Sequence, residues 1–179
     1  MRVFKQKILF TAEECNSIIN RYNNLPISCE VSRDNCSYTS ICIDKTENRW
    51  ILDRVITWIE SELNCKIDWD SSTDEDEFYF QFYKKGDRFE KHDDNVYNRV
   101  YTVGILLNDD FEGGKFLVDV SVDNPILFEN QIGNCYVIES MLKHEVTEVI
   151  SGYRNVVIIF FKQSQIKFNG ISTGLLKII

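Results

Sequence analysis

A chain of 179 residues with 44% hydrophobic and 13% aromatic residues is long enough to bury one core and too apolar to be disordered. Its formal net charge of −8 argues against a basic nucleic-acid footprint. No apolar run is long enough to span a bilayer, and Met1 to Phe10 lacks the apolar stretch and cleavage site of a signal peptide. Six cysteines, Cys15, Cys29, Cys36, Cys42, Cys65 and Cys135, form no Cys-x-x-Cys pair and read as free thiols in a reducing compartment. A cytoplasmic protein with no membrane and no nucleic-acid partner is expected.

In chain order, Thr11 is placed to cap a helix, with Glu14 at the capping-box position and Cys15, Ile18, Ile19 and Tyr22 at helical spacing. Pro26 should stop it. A second helix fits Arg49 to Leu63, with Trp50, Val55, Trp58, Ile59 and Leu63 on its apolar face. Between the two, Ile27 to Ile43 shows no clear period. Asp68 to Glu77 is acidic and reads as a solvated connector. From Phe78 the pattern turns to short strands: Phe78 to Tyr83, Arg88 to His92, Arg99 to Leu107, Lys115 to Val120, Pro125 to Glu129, Cys135 to Glu139, Glu145 to Ile150 and Asn155 to Lys162. Turn signals separate them, which indicates a sandwich or barrel rather than a βαβ fold. The class is α+β, in one domain over 1–179. Its parts are a helical support over 1–77, a β core over 78–162 and a C-terminal tail over 163–179.

The chain holds two histidines. His92 follows a short strand, and on a strand residues i and i+2 share a face, so His92 and Asp94 can present an imidazole and a carboxylate together while Asp93 points away. His144 is the other imidazole. Two histidines and one carboxylate form the facial set of non-haem Fe(II) oxygenases, with positions left open for other ligands. Arg154, ten residues after His144, is the candidate cation for a co-substrate carboxylate, since a guanidinium binds carboxylate in a fork and stays charged. Lys84, Lys85, Arg88 and Lys91 form a local basic cluster. It reads as a solvated face or, alternatively, as a contact for an acidic substrate group.

Tyr83, Gly86, His92, Asp94, Arg99, Thr102, Gly113, Gly114, His144, Val146, Val149, Gly152 and Arg154 occur in an order and spacing that resembles the prolyl 4-hydroxylase-type branch of the 2-oxoglutarate/Fe(II) dioxygenases. The resemblance implies a double-stranded β-helix, the jelly-roll or cupin-like barrel, with N-terminal helices packed on it. It implies His92, Asp94 and His144 as ligands of Fe(II), and Arg154 on the distal carboxylate of 2-oxoglutarate with Tyr83 against the co-substrate. It further implies O2 as oxidant, ascorbate as an accessory reductant, and conversion of 2-oxoglutarate to succinate and CO2 coupled to hydroxylation of an amino-acid side chain in a peptide or protein.

The chain departs from that pattern in places. Leu106 stands where some relatives have a tyrosine that helps the arginine. Phe116 replaces a frequent threonine and Phe89 a frequent tyrosine, so a more apolar co-substrate pocket is expected. The loop from Asp94 to Arg99 is short, which keeps open an oxygenase acting on a free amino acid or other small molecule. A metal-binding module without turnover is the further alternative. The substrate-choosing residues are expected in Ile27 to Ile43 and Asp94 to Arg99.

Overall fold

The computed structural model describes residues 4–25, 29–71, 77–120 and 125–169. Helix α1 spans Ala12–Tyr22 and is closed by the expected box: the Glu14 N–H donates to Thr11 Oγ1 at 3.2 Å, and the Thr11 N–H donates to Glu14 Oε2 at 3.0 Å. It buries Cys15, Ile18 and Tyr22 and ends before Pro26, which lies outside the described residues. Helix α2 spans Arg49–Leu63 and ends at Asn64, which takes the left-handed conformation at φ 49° that asparagine tolerates. Arg54 of α2 forks onto Glu14 of α1 at 2.6 and 2.8 Å and lies over the rings of Phe10 and Trp50, fixing one helix against the other.

The strands are β1 Phe4–Ile8, β2 Cys29–Arg33, β3 Cys36–Cys42, β4 Cys65–Ile67, β5 Phe78–Tyr83, β6 Phe89–His92, β7 Arg99–Leu106, β8 Glu112–Gly113, β9 Phe116–Val118, β10 Ile126–Leu127, β11 Asn134–Glu139, β12 His144–Val146, β13 Val149–Ser151, β14 Arg154–Lys162 and β15 Ile166–Phe168. One sheet runs in the order β1-β11-β7-β14-β5-β3-β6-β12-β9-β10, with β2 hydrogen-bonded to β3. All its pairings are antiparallel. Strand β3 carries the sheet round the curl: Thr39 to Cys42 pair with β5, and Cys36 pairs with Phe89 of β6. The result is a double-stranded β-helix with two helices packed on one layer.

Strand β14 shows how the sequence places the core. All nine of its residues are buried, which accounts for its near-continuous apolar run. Val157, Ile159 and Phe161 face the core shared with Ile51, Leu52, Val55 and Ile59 of α2. Val156, Ile158 and Phe160 face the barrel, where Tyr136, Phe116 and Tyr83 gather. Arg154 shares that register, so the period of two points it into the barrel.

The structure differs from the sequence expectation at several points. Residues 1–77 are not only a helical support: β1 extends the sheet beside β11, β2 and β3 build a hairpin into it, and β4 pairs with β15 from the C-terminal segment. Glu145 to Ile150 is not one strand. The chain turns after Val146, so β12 stays in the main sheet while β13 pairs with β8. The stretch Pro125 to Glu129 contributes only Ile126–Leu127 as strand. Within the acidic connector, Trp69 is buried against Phe161, and Glu77 is buried beneath Arg99 at 2.5 Å; residues 72–76 lie outside the described residues.

Candidate metal centre

His92 ends β6, His144 opens β12, and the two are direct partners across the antiparallel pair. Directly opposed residues put their side chains on one face, and the ring centroids lie 4.3 Å apart. Asp94 joins them by a different route from the one its spacing suggests. Strand β6 stops at His92, so the alternation of a strand does not place Asp94. Its backbone N–H donates to Ser140 O at 2.8 Å, and its Oδ2 accepts from Thr102 Oγ1 at 2.8 Å. Asp93 does point away, to Lys143 at 2.5 Å. Asp94 Oδ1 lies 3.6 Å from His92 Nε2 and Oδ2 lies 3.1 Å from His144 Nε2.

One ligand atom from each of His92, Asp94 and His144 falls within 4.8 Å of the others. Each imidazole is oriented in the same way: His92 Nδ1 lies 2.8 Å from Glu90 O and His144 Nδ1 lies 2.8 Å from Leu142 O. A carbonyl oxygen only accepts, so Nδ1 carries a hydrogen in both rings and each Nε2 is the atom turned toward the centre. Burial, followed by the neighbouring His144, holds the His92 pKa below its ordinary value and favours the neutral ring a metal needs. Burial alone would raise the Asp94 carboxyl. The hydrogen bond and charge of His144, the charge of His92 and the Thr102 hydroxyl outweigh it, and the net direction is down. Two imidazoles and an ionised carboxylate are a donor set that suits a divalent metal such as Fe(II).

The three side chains line a cavity of about 550 Å³ that also holds Tyr83 and Arg154. Arg154 is 2% exposed, and its register partner on β5 is Tyr83, whose ring centroid lies 5.3 Å from the guanidinium carbon. No carboxylate pairs with Arg154 among the described residues, and its Nε has no hydrogen-bond partner. A buried guanidinium left without a counter-charge is costly, so this site is shaped for an anionic ligand. Gly113 at φ 74° and Gly114 at φ 54° make the positive-φ turn beside it; a Cβ on Gly114 would stand 3.1 Å from Arg154 Cδ.

Sequence reasoning assigns no role in the site to Thr102 and Ser140, whose hydroxyls lie 3.0 Å apart and whose polar atoms hold Asp94. A polar residue at an inward register of an otherwise apolar strand was the available signal. Phe89 stacks on the His92 ring at 3.5 Å between centroids, and Phe116 approaches His144 at 5.5 Å, so both aromatic departures border the candidate metal position. Leu106 is buried and does not line the cavity. The basic cluster is largely neutralised: Lys84 pairs with Glu30, Arg88 with Glu90 and Lys91 with Asp119.

Residues 78–162 match the family model of the 2OG-Fe(II) oxygenase superfamily. No curated protein matches the chain by sequence. Among solved structures, an oxidoreductase of the 2OG-Fe(II) oxygenase family from Burkholderia pseudomallei is similar at TM-score 0.70 and 16% identity, over 94% of this chain and 89% of that one. A prolyl-4-hydroxylase from Pseudomonas putida is similar at TM-score 0.68 and 16% identity, over 91% and 94%. A prolyl hydroxylase from Trichoplax adhaerens, solved in complex with a hypoxia inducible factor oxygen degradation domain peptide fragment, is similar at TM-score 0.67 and 18% identity, over 89% and 83%. The family match spans the segment that holds His92, Asp94, His144 and Arg154. Over residues 78–162, a little under half of its length, the chain is thus similar to the 2OG-Fe(II) oxygenase superfamily, whose name gives 2-oxoglutarate and Fe(II) as what its members use.

Proposed function

We propose that His92, Asp94 and His144 hold Fe(II), that Arg154 receives the distal carboxylate of 2-oxoglutarate over the Tyr83 ring, and that the enzyme hydroxylates an amino-acid side chain within a peptide or protein. The observation that carries this reading is the convergence of three ligand atoms within 4.8 Å in the same cavity as a buried arginine that has no acidic partner among the described residues. With iron and the oxo-acid bound, the site would supply O2-driven hydroxylation of an unactivated C–H bond, one oxygen atom of O2 entering the substrate and the other the succinate that forms with CO2 from 2-oxoglutarate. The chain's own residues do the positioning. Glu90 O and Leu142 O fix the two imidazoles, Thr102 fixes the Asp94 carboxylate while Ser140 O holds its backbone N–H, and Phe89 and Phe116 pack their rings against the two imidazoles.

The peptide reading draws on the cavity mouth. Its rim is formed by Val31 and Arg33 of the β2–β3 hairpin and by Val96 and Tyr97 of the turn after Asp94. Tyr97 is 74% exposed and Val96 47% exposed, an apolar lip open to a larger partner. The neighbours whose names give them as prolyl hydroxylases, one solved with a peptide, point the same way. A free amino acid is the second reading. The turn favours it by being tight, with Tyr97 at φ 53° and Asn98 at φ 60°. Ascorbate is expected to support repeated turnover. We place the enzyme in the cytoplasm as one domain over 1–179, consistent with cysteines that are all free thiols. No helix among the described residues is long and apolar enough to cross a membrane.

Succinate formation tests the choice of substrate. Proline-containing peptides should stimulate it and free proline should not. Stimulation by free amino acids alone would replace the peptide reading with the small-molecule one.

A further inference from the structure

Arg154 lacks an acidic partner among the described residues, but a phenol stands beside it. Tyr136 lies on β11, directly opposite Gly104 of β7. Its ring stacks on Phe116 at 4.3 Å between centroids and 18° between planes, and tilts against Phe128 at 4.7 Å. Those two rings lock it, and its far end reaches over β7. A Cβ on Gly104 would stand 2.1 Å from Tyr136 Cζ and 2.2 Å from its hydroxyl oxygen. Gly104 does not have a positive φ. The Tyr136 ring, rather than any backbone requirement, is therefore what only glycine can accommodate there.

Burial raises the Tyr136 phenol above its ordinary pKa, while the Arg154 guanidinium beside it acts in the opposite direction. The phenol is therefore a neutral O–H donor at physiological pH. A buried tyrosine hydroxyl ordinarily spends its hydrogen on a fixed acceptor. Among the described residues no protein acceptor takes this one; its hydrogen-bonding neighbour, Arg154, is itself donor-only, and Asp94 acts on it by charge alone. Two donor-bearing side chains, both 5% exposed or less, thus line one cavity with the candidate metal ligands, and among the described residues neither donates a hydrogen bond to a carboxylate.

We propose that Tyr136 is the second anchor of the co-substrate: its hydroxyl donates to one oxygen of the distal carboxylate of 2-oxoglutarate while Arg154 takes the same group by charge, and Gly104 is the gap that lets the phenol reach. This rests on the co-substrate reading of Arg154. The test is calorimetric binding, without oxygen, to the full chain loaded with Mn(II). It uses 2-oxoglutarate and, as a chelator without a distal carboxylate, pyridine-2-carboxylate. Tyr136→Phe removes one hydrogen bond to a charged group and should raise the Kd for 2-oxoglutarate roughly 10- to 100-fold. It should leave pyridine-2-carboxylate binding and the thermal midpoint of the ligand-free protein unchanged. Gly104→Ala, which displaces the phenol, should show the same selectivity. If Tyr136→Phe binds 2-oxoglutarate like wild type while Arg154→Met does not, the role of Tyr136 is overturned and that of Arg154 stands. Equal weakening of both probes by Tyr136→Phe overturns it too, because the phenol would then shape the metal site. If neither Tyr136→Phe nor Arg154→Met alters 2-oxoglutarate binding, the reading of Arg154 falls with it.

Discussion

On the helix side of β14, Val157, Ile159 and Phe161 enter an apolar core closed by α2. On the barrel side, Arg154, Val156, Ile158 and Phe160 of the same strand line or border a cavity with two histidines and a carboxylate. One-residue alternation therefore separates two jobs along a single strand. The helix side supplies burial and depends on volume and fit. The barrel side accepts polar groups inside a protein and satisfies most of them in pairs, leaving unmet those that a ligand would meet. A one-residue slip of β14 against β5 and β7 would exchange the faces, which is why both layers are needed to pin its register.

The comparison can be broken from either side. The largest effect is expected at the metal position. His144→Ala should reduce 2-oxoglutarate turnover to background while moving the urea midpoint far less than a helix-side truncation. Phe161→Ala should do the reverse: loss of a fully buried ring packed on Trp69 should cost about 3–5 kcal/mol of stability, with the remaining folded fraction still binding metal. Chemical denaturation and metal titration of the two variants decide whether the faces are independent.

Thr102→Val sharpens the division. It keeps shape but removes the hydroxyl that donates to Asp94 at 2.8 Å. Metal affinity should fall roughly 10- to 100-fold, the usual result of losing a group that orients a ligand. An affinity unchanged in competition titrations would mean that the hydroxyl only fills space.

The smallest effect lies at the seam between the helices. The Arg54 hydrogen bond, then the Thr11 N–H, holds the Glu14 carboxyl below its ordinary pKa. A depressed folded pKa contributes stability that is present above the unfolded value, about 4.3, and is lost as pH falls through the folded value. Because the Glu14 side chain is 30% exposed, the effect should be under about 1 kcal/mol. Between pH 6 and pH 3 the wild type should lose slightly more stability than Glu14→Gln. Parallel curves would remove this contribution.

Much of this division is written locally in the chain. The capping box at Thr11, the apolar period of α2 and the run of β14 each follow from neighbours in sequence, and the structure forms all three. His92 and His144 stood out as the chain's two histidines, and Asp94 and Arg154 by their spacing from them and the family pattern the four complete. What stayed hidden depends on contacts between distant segments. The β2–β3 hairpin takes its register from β5 and β6, so Ile27 to Ile43 carries no period of its own. Asp94 is held by Ser140 and Thr102 from two other strand regions rather than by the strand that precedes it. Tyr136 reads as one more core aromatic until Gly104 is seen opposite it.

The most direct measurement is an anaerobic visible titration, adding Fe(II) and then 2-oxoglutarate to wild type, His144→Ala and Arg154→Met. Wild type should develop a weak charge-transfer band that saturates at one iron per chain. His144→Ala should develop none, and Arg154→Met should need far more 2-oxoglutarate. No band in wild type, or an undiminished band in His144→Ala, would contradict the assignment of this face of the barrel to metal and co-substrate.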